Sequence, residues 1–177
     1  MKTLTEQLSN YAAYHRDRRN IATHFIGVPM IMFAVVVLLS RPAWGTLLPW
    51  LPITPALLLA AVVAAYWLAL DRPIGALTAA ATLAMLVAAT PIAAASTGTW
   101  LGWGIGLFVV GWIIQFVGHV WEGRKPAFVD DVIGLIIAPP FVVAEALFAL
   151  GLRRELQAAI DAKVGPTVIR RRRDAAA

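Results

Sequence analysis

Long apolar runs separated by short polar stretches make up most of the chain. An α-helix needs roughly 20 apolar residues to cross the hydrocarbon layer of a bilayer, so each run is weighed as a span. The first, HFIGVPMIMFAVVVLLS, covers 24–40 and is short. The polar segment before it carries Tyr11, Tyr14 and Asp17, and no small-x-small site follows cleanly, so the run reads as a retained span rather than a cleaved leader. Next comes RPAWGTLLPWLP, 41–52, rich in Pro and Trp as an interfacial loop is. The second span is 53–70, and Asp71-Arg72-Pro73 makes a tight turn into the third, 74–95, with Pro91 near its end. STGT, 96–99, is a second tight turn, and the fourth span is 100–121, with an aromatic residue near each end.

A fifth run, 132–152, holds Pro139-Pro140 at its middle and Glu145 beyond them. Adjacent prolines remove two backbone donors and disfavour helix at the residue before them. The basic residues decide whether this run crosses. If it does not, Lys and Arg divide 14 to 1 between the two sides, Arg41 being the exception; if it does, they divide 7 to 8. Cytoplasmic loops carry the excess of Lys and Arg. The count therefore favours four transmembrane helices with both termini cytoplasmic, and a re-entrant or interfacial helical hairpin bent at Pro139-Pro140. The expected fold is an all-α integral membrane protein: a membrane-embedded domain over 1–152, then a basic cytoplasmic tail over 153–177.

Composition agrees. Of 177 residues, 60% are hydrophobic and 14% charged, against about 25% charged in a soluble domain. There is no cysteine, which excludes disulfides and thiol chemistry. The net charge of +5 comes mostly from the two ends of the chain. In a membrane protein that is a topology signal rather than a nucleic-acid footprint. The run Arg170–Arg173 is expected to lie on anionic headgroups or to be disordered.

The chain has three histidines, His15, His24 and His119. In the four-span topology His24 opens the first span and His119 closes the fourth. All three then converge on one membrane face, although 104 residues separate the first from the last. Gln115 and His119 are four apart and Glu122 is three further on, so all three project from one helix face. Gly111 and Gly118 beside them allow close approach of another helix. Tyr11 and His15 are also four apart, as are Asn20 and His24. His15 and His24, nine apart, would lie about 180° around a straight helix. Either the helix breaks among 16–20, or only one of them faces the site.

Three histidines, or two and a carboxylate, suit zinc or non-haem iron. Glu122 is the nearest carboxylate, with Asp17 behind it. The blander reading makes each histidine a helix cap, but every histidine of the chain falls in two polar clusters on one side. Arg16, Arg18, Arg19, Arg124 and Lys125 either hold a substrate carboxylate or are ordinary positive-inside charges. Glu145 either lines the site or reaches the interface. A transporter would want polar groups at mid-membrane, where spans two and three offer only Thr and Tyr66. A di-iron hydroxylase needs many more histidines.

YHRDRRNIATHFIGVP (14–29) and QFVGHVWEGRKPAF (115–128) resemble the two signature blocks of the Mpo1-like family. They read Y-H-x4-N-x3-H-x2-G-x-P and Q-x2-G-H-x2-E-x3-P-A. The resemblance implies an Fe(II)-dependent dioxygenase that shortens 2-hydroxy fatty acids by one carbon, with O₂ as co-substrate. In eukaryotes this serves phytosphingosine breakdown at the endoplasmic reticulum. It assigns the iron to His15, His24 and His119. Glu122, Asn20 and Gln115 then belong to the catalytic site, the last two as partners that hold ligating histidines in one tautomer. Tyr14, Arg18 and Lys125 are the expected substrate contacts, the cations pairing with its carboxylate. The acid keeps its head at the interface and its tail among the helices. Expected partners are thus a 2-hydroxy fatty acid and the bilayer, with no nucleic acid and self-association left open. The alternative is a zinc-binding or purely structural membrane protein without redox activity. An Ala- and Arg-rich composition points to a high-GC bacterium and its inner membrane.

Overall fold

A computed structural model describes residues 2–169; the Arg170–Arg173 run lies outside them. The elements in order are α1 (Leu4–Ala12), α2 (Arg18–Leu38), β1 (Thr46–Leu48), β2 (Leu51–Pro52), α3 (Pro55–Leu70), α4 (Arg72–Ala94), α5 (Thr97–Glu122), a 3₁₀ turn (Ala127–Val129), α6 (Ile133–Ala149) and α7 (Arg154–Val164). The chain is mostly helical. Among the described residues, the departures from an all-α fold are the short antiparallel pair β1–β2 inside the segment read as an interfacial loop and an isolated bridge between Asp17 and Val168. Three helices, α2, α4 and α5, are long and apolar enough to cross a membrane, or four spans if the bent pair α6–α7 counts as one. The second expected span is α3, and at 16 residues it is about 24 Å long, short of the ~30 Å hydrocarbon layer.

The chain divides into two compact units, residues 29–112 and residues 1–28 with 113–177. In the first, Val36, Val37, Ala56, Ala60, Leu86 and Ala89 form a buried apolar cluster. Trp100 Nε1 donates to the Val37 carbonyl at 2.6 Å. Gly75 stands where a Cβ would meet the Trp67 backbone at 2.5 Å, so α3 and α4 turn tightly on one another. Residues such as Val62 (70% exposed) and Ile105 (51%) face outward, as a lipid-covered surface does.

The second unit is built from α1, the first turns of α2, the last turns of α5, and α6 and α7. A capping box starts α1: Glu6 N–H donates to Thr3 Oγ1 at 3.2 Å and Thr3 N–H to Glu6 Oε2 at 2.8 Å. The helix ends at Ala12, and the chain turns over 13–17 before α2. Asp17 starts α2 by accepting from the Arg19 N–H at 2.8 Å. The expected break between His15 and His24 is therefore real, and it begins a few residues before 16–20.

The hairpin expected to bend at Pro139-Pro140 is bent elsewhere. α6 runs unbroken through both prolines, which are buried together with Phe141. Proline fixes φ close to the helical value, so what the pair removes is two donors. Membrane helices carry that loss when neighbouring structure packs around them. The turn comes at Gly151 (φ 73°). There Leu152 N–H donates to the Leu147 carbonyl at 2.8 Å and Gly151 N–H to Phe148 at 2.9 Å, the double bond of a Schellman cap. α7 leaves at 113° to α6. It lies within the segment read as a basic tail, contacts α1, and buries Ile160 to 2% exposure.

Candidate metal centre

The loop 13–17 carries His15, the second turn of α2 carries His24, and the last turn of α5 carries His119. All are buried, at 0%, 2% and 6% exposure. Their ring centroids stand 4.3 Å (His15–His24), 5.0 Å (His15–His119) and 5.4 Å (His24–His119) apart. One ligand atom from each falls within 4.8 Å of the others. The convergence expected from two distant stretches of sequence is thus present.

Backbone carbonyls set two of the rings. His15 Nδ1 lies 2.7 Å from the Tyr11 carbonyl and His24 Nδ1 lies 2.8 Å from the Asn20 carbonyl. A carbonyl only accepts, so both Nδ1 atoms carry the proton and both Nε2 atoms present lone pairs. His15 Nε2 and His119 Nδ1 are buried without a hydrogen-bond partner. Each such atom costs roughly 1–3 kcal/mol, and a shared cation removes the cost at both. Burial, and next the charge His24 would carry, holds the His15 pKa well below its usual 6.5. The ring is therefore neutral at neutral pH, the form that ligates. Tyr11 stacks on His15 at 4.1 Å between centroids and 5° between planes, and Phe141 closes the apolar side at 5.6 Å from His15. The donor set fits zinc or iron with open coordination positions.

Glu122, the expected carboxylate, is fully buried and works as a clasp. Its Oε2 accepts from Arg16 N–H (2.9 Å), Asp17 N–H (2.7 Å) and Asn20 Nδ2 (3.1 Å). Asp17 turns to Arg19, with Oδ2 2.8 Å from its Nη2. The Asn20 side chain, expected to hold a histidine, turns to Glu122 instead, and it is the Asn20 backbone carbonyl that meets His24 Nδ1. The Asn20 side chain also donates to the Tyr14 carbonyl at 3.2 Å. Gln115 lies one turn before His119, with Oε1 buried and without a partner. Gly118 packs against Asn20 and Thr23 so closely that a Cβ would overlap both side chains. Gly118→Ala should therefore cost about 1–3 kcal/mol by overpacking and displace Asn20. A chemical melt alongside a metal titration checks both effects.

Of the expected substrate contacts, Tyr14 and Lys125 come together on one carboxylate. Tyr14 Oη donates to Asp130 Oδ2 at 2.7 Å, and Lys125 Nζ pairs with Asp130 Oδ1. Arg18 stands exposed at the start of α2. A cleft of about 340 Å³ lies beside them, with Gln7, Asn10, Tyr14 and Asp131 at its polar side and Ile137 at its apolar side. Tyr11 forms its wall toward His15. Two residues do more than the sequence reading gave them. The i, i+4 spacing of Tyr11 to His15 is visible in the sequence, but it carries no role for the ring that stacks on His15. Arg16 looked like any other positive-inside charge, yet it is buried at 4% exposure. Its partners lie 129 and 145 residues away in Glu145 and Asp161, a relation no local spacing reveals.

Fold and site together define a helical membrane protein with a buried three-histidine centre near the ends of two long helices. The chain belongs to the Mpo1-like family: the family model described as "2-hydroxy-palmitic acid dioxygenase Mpo1-like" matches residues 1–150, which include all three histidines. It is similar to the 2-hydroxy-palmitic acid dioxygenase MPO1 of Saccharomyces cerevisiae, at 32% identity over 160 residues, 89% of this chain and 87% of the yeast protein. No solved structure matches the chain.

Proposed function

We propose that the protein is a membrane-embedded, Fe(II)-dependent dioxygenase that cleaves 2-hydroxy fatty acids between C1 and C2, giving the acid one carbon shorter. The observation that carries this reading is the set of three neutral-type imidazoles with ligand atoms within 4.8 Å of one another, in a chain whose family is described by that activity. Written as acid plus O₂ giving shorter acid, CO₂ and water, the conversion balances without an external reductant. His15, His24 and His119 would hold the iron, which would supply the dioxygen chemistry.

The chain's own residues do the rest. The Tyr11 and Asn20 carbonyls keep the two imidazole lone pairs aimed at one point. Glu122 holds the His15 loop against α5. Phe141 and the Tyr11 ring exclude water from the buried face. Gln115 Oε1 and Asn20 Oδ1, both buried without partners, are acceptors for the substrate hydroxyl or a bound water. Tyr14 and Lys125 already meet a carboxylate, that of Asp130. The substrate head offers the same chemistry at this rim, with the exposed Arg18 at the start of α2 as a steering charge. The bilayer receives the acyl tail. Crossing by four helices, α3 among them, puts both termini on the cytoplasmic side, as the division of basic residues favours.

The test is an anaerobic incubation of Fe(II)-loaded protein with 2-hydroxypalmitate, followed by O₂ and product analysis. Pentadecanoic acid is the expected product, formed only with both iron and O₂. No odd-chain product would remove the substrate assignment. Zinc rather than iron in anaerobically purified protein would favour the non-redox alternative.

A further inference from the structure

We infer that Arg16 is a positioning residue for the three-histidine centre, and that residues 154–168 act through it as a strap across the His15 loop. The inference rests on the metal reading above. His15 differs from the other two histidines in lying on a loop between helices rather than on one. Loops open more readily than helices, yet a ligand must be held within roughly 0.5 Å of its place.

The loop is tied down from two directions. From α5, Glu122 takes the Arg16 and Asp17 N–H groups. From the C-terminal segment come the remaining ties. The Arg16 guanidinium donates through Nε to the His15 carbonyl at 3.1 Å. Its Nη1 donates to Asp161 Oδ1 at 2.9 Å and to the Gly165 carbonyl at 2.8 Å, and Nη2 stands 3.7 Å from Glu145 Oε1. One planar fork therefore joins the His15 backbone to α6, α7 and the chain beyond. Lysine, a point charge on a flexible stem, cannot reproduce that geometry. Past Gly165 the chain runs along the loop. Val168 N–H donates to the Arg16 carbonyl at 2.8 Å, and the Val168 carbonyl accepts from Arg18 N–H at 2.9 Å, a parallel bridge opposite Asp17. Asp161, Gly165 and Val168 all lie beyond residues 1–150, the part the family model matches.

Two full-length variants test this. Val168→Pro deletes one donor at a residue that is 44% exposed, and Arg16→Lys keeps the charge but not the fork. Anaerobic Co(II) titration of the detergent-solubilised protein reads metal affinity, metal-free melting reads the fold, and amide exchange reads residues 13–18. Affinity should fall about 10-fold in Val168→Pro and roughly 10–100-fold in Arg16→Lys, the range for partners that orient a ligand. Exchange should quicken at 13–18, and the metal-free melt of Val168→Pro should barely move. Unchanged Co(II) affinity in the folded variants overturns the inference, whether or not melting shifts. Should Arg16→Lys fail to fold, Val168→Pro decides alone. If the wild-type protein takes up no Co(II), the metal reading fails and the strap's role falls with it; wild-type uptake with unaffected variants sinks the strap only.

Discussion

Alanine in place of His24 should empty the metal centre, and His119→Ala should do the same. Losing a partner that only orients a ligand costs roughly 10–100-fold in metal affinity, so losing a ligand itself should cost at least ~100-fold. The two imidazoles left behind offer too few donors to hold the ion against water and chelator. Turnover should fall in step with bound metal. The metal-free His119→Ala variant in particular should fold, because it removes one of the two buried lone pairs, His15 Nε2 and His119 Nδ1, that have no hydrogen-bond partner. Removing the His119 imidazole deletes that cost as well as some packing, whereas removing His24 loses packing and the partner of the Asn20 carbonyl. Metal analysis of protein purified without oxygen reads the outcome. Equal metal content in wild type and both variants would place the ion elsewhere, and metal-free wild type would return these histidines to a structural role.

Glu122→Ala should be the most damaging substitution to the fold of this unit. The side chain is fully buried, and Oε2 alone satisfies two backbone N–H groups and the Asn20 amide. Deleting it strands those donors, each worth roughly 1–3 kcal/mol. Allowing for relaxation, breaking a buried network of this kind costs about 3–5 kcal/mol. Glu122→Gln keeps one acceptor oxygen of similar shape and should cost about half as much or less. Denaturation midpoints and metal affinity should fall together, alanine below glutamine. A glutamine variant that keeps stability and metal but loses turnover would instead assign Glu122 a role in proton handling.

How much of this was legible in the sequence can be argued residue by residue. The three histidines could be brought together in sequence because the expected antiparallel crossings put the start of one span beside the end of another, with the Lys/Arg count favouring one parity. Helix starts were less visible. α2 begins at Arg18, six residues before the apolar run, because Asp17 caps it while polar residues follow. The proline pair drew attention away from Gly151, whose place after an apolar helix is itself a stop signal. The tyrosine–aspartate–lysine cluster and the Arg16 fork depend on acids far along the chain, so no window of local pattern contains them. The β1–β2 pair is too short to show a period.

The order of synthesis gives the strap a further meaning. A chain is made from its N-terminus, so His15 and His24 emerge long before His119, and Val168, which ties down the His15 loop, comes later still. During insertion the early histidines have no third imidazole and no clasp from Glu122. On the proposed metal reading, a nascent chain would lack the finished three-histidine geometry, and metal captured by two histidines would bind weakly and leave. On that reading closure of the centre would wait for the last helix to dock, and metal loading would be a late step in maturation.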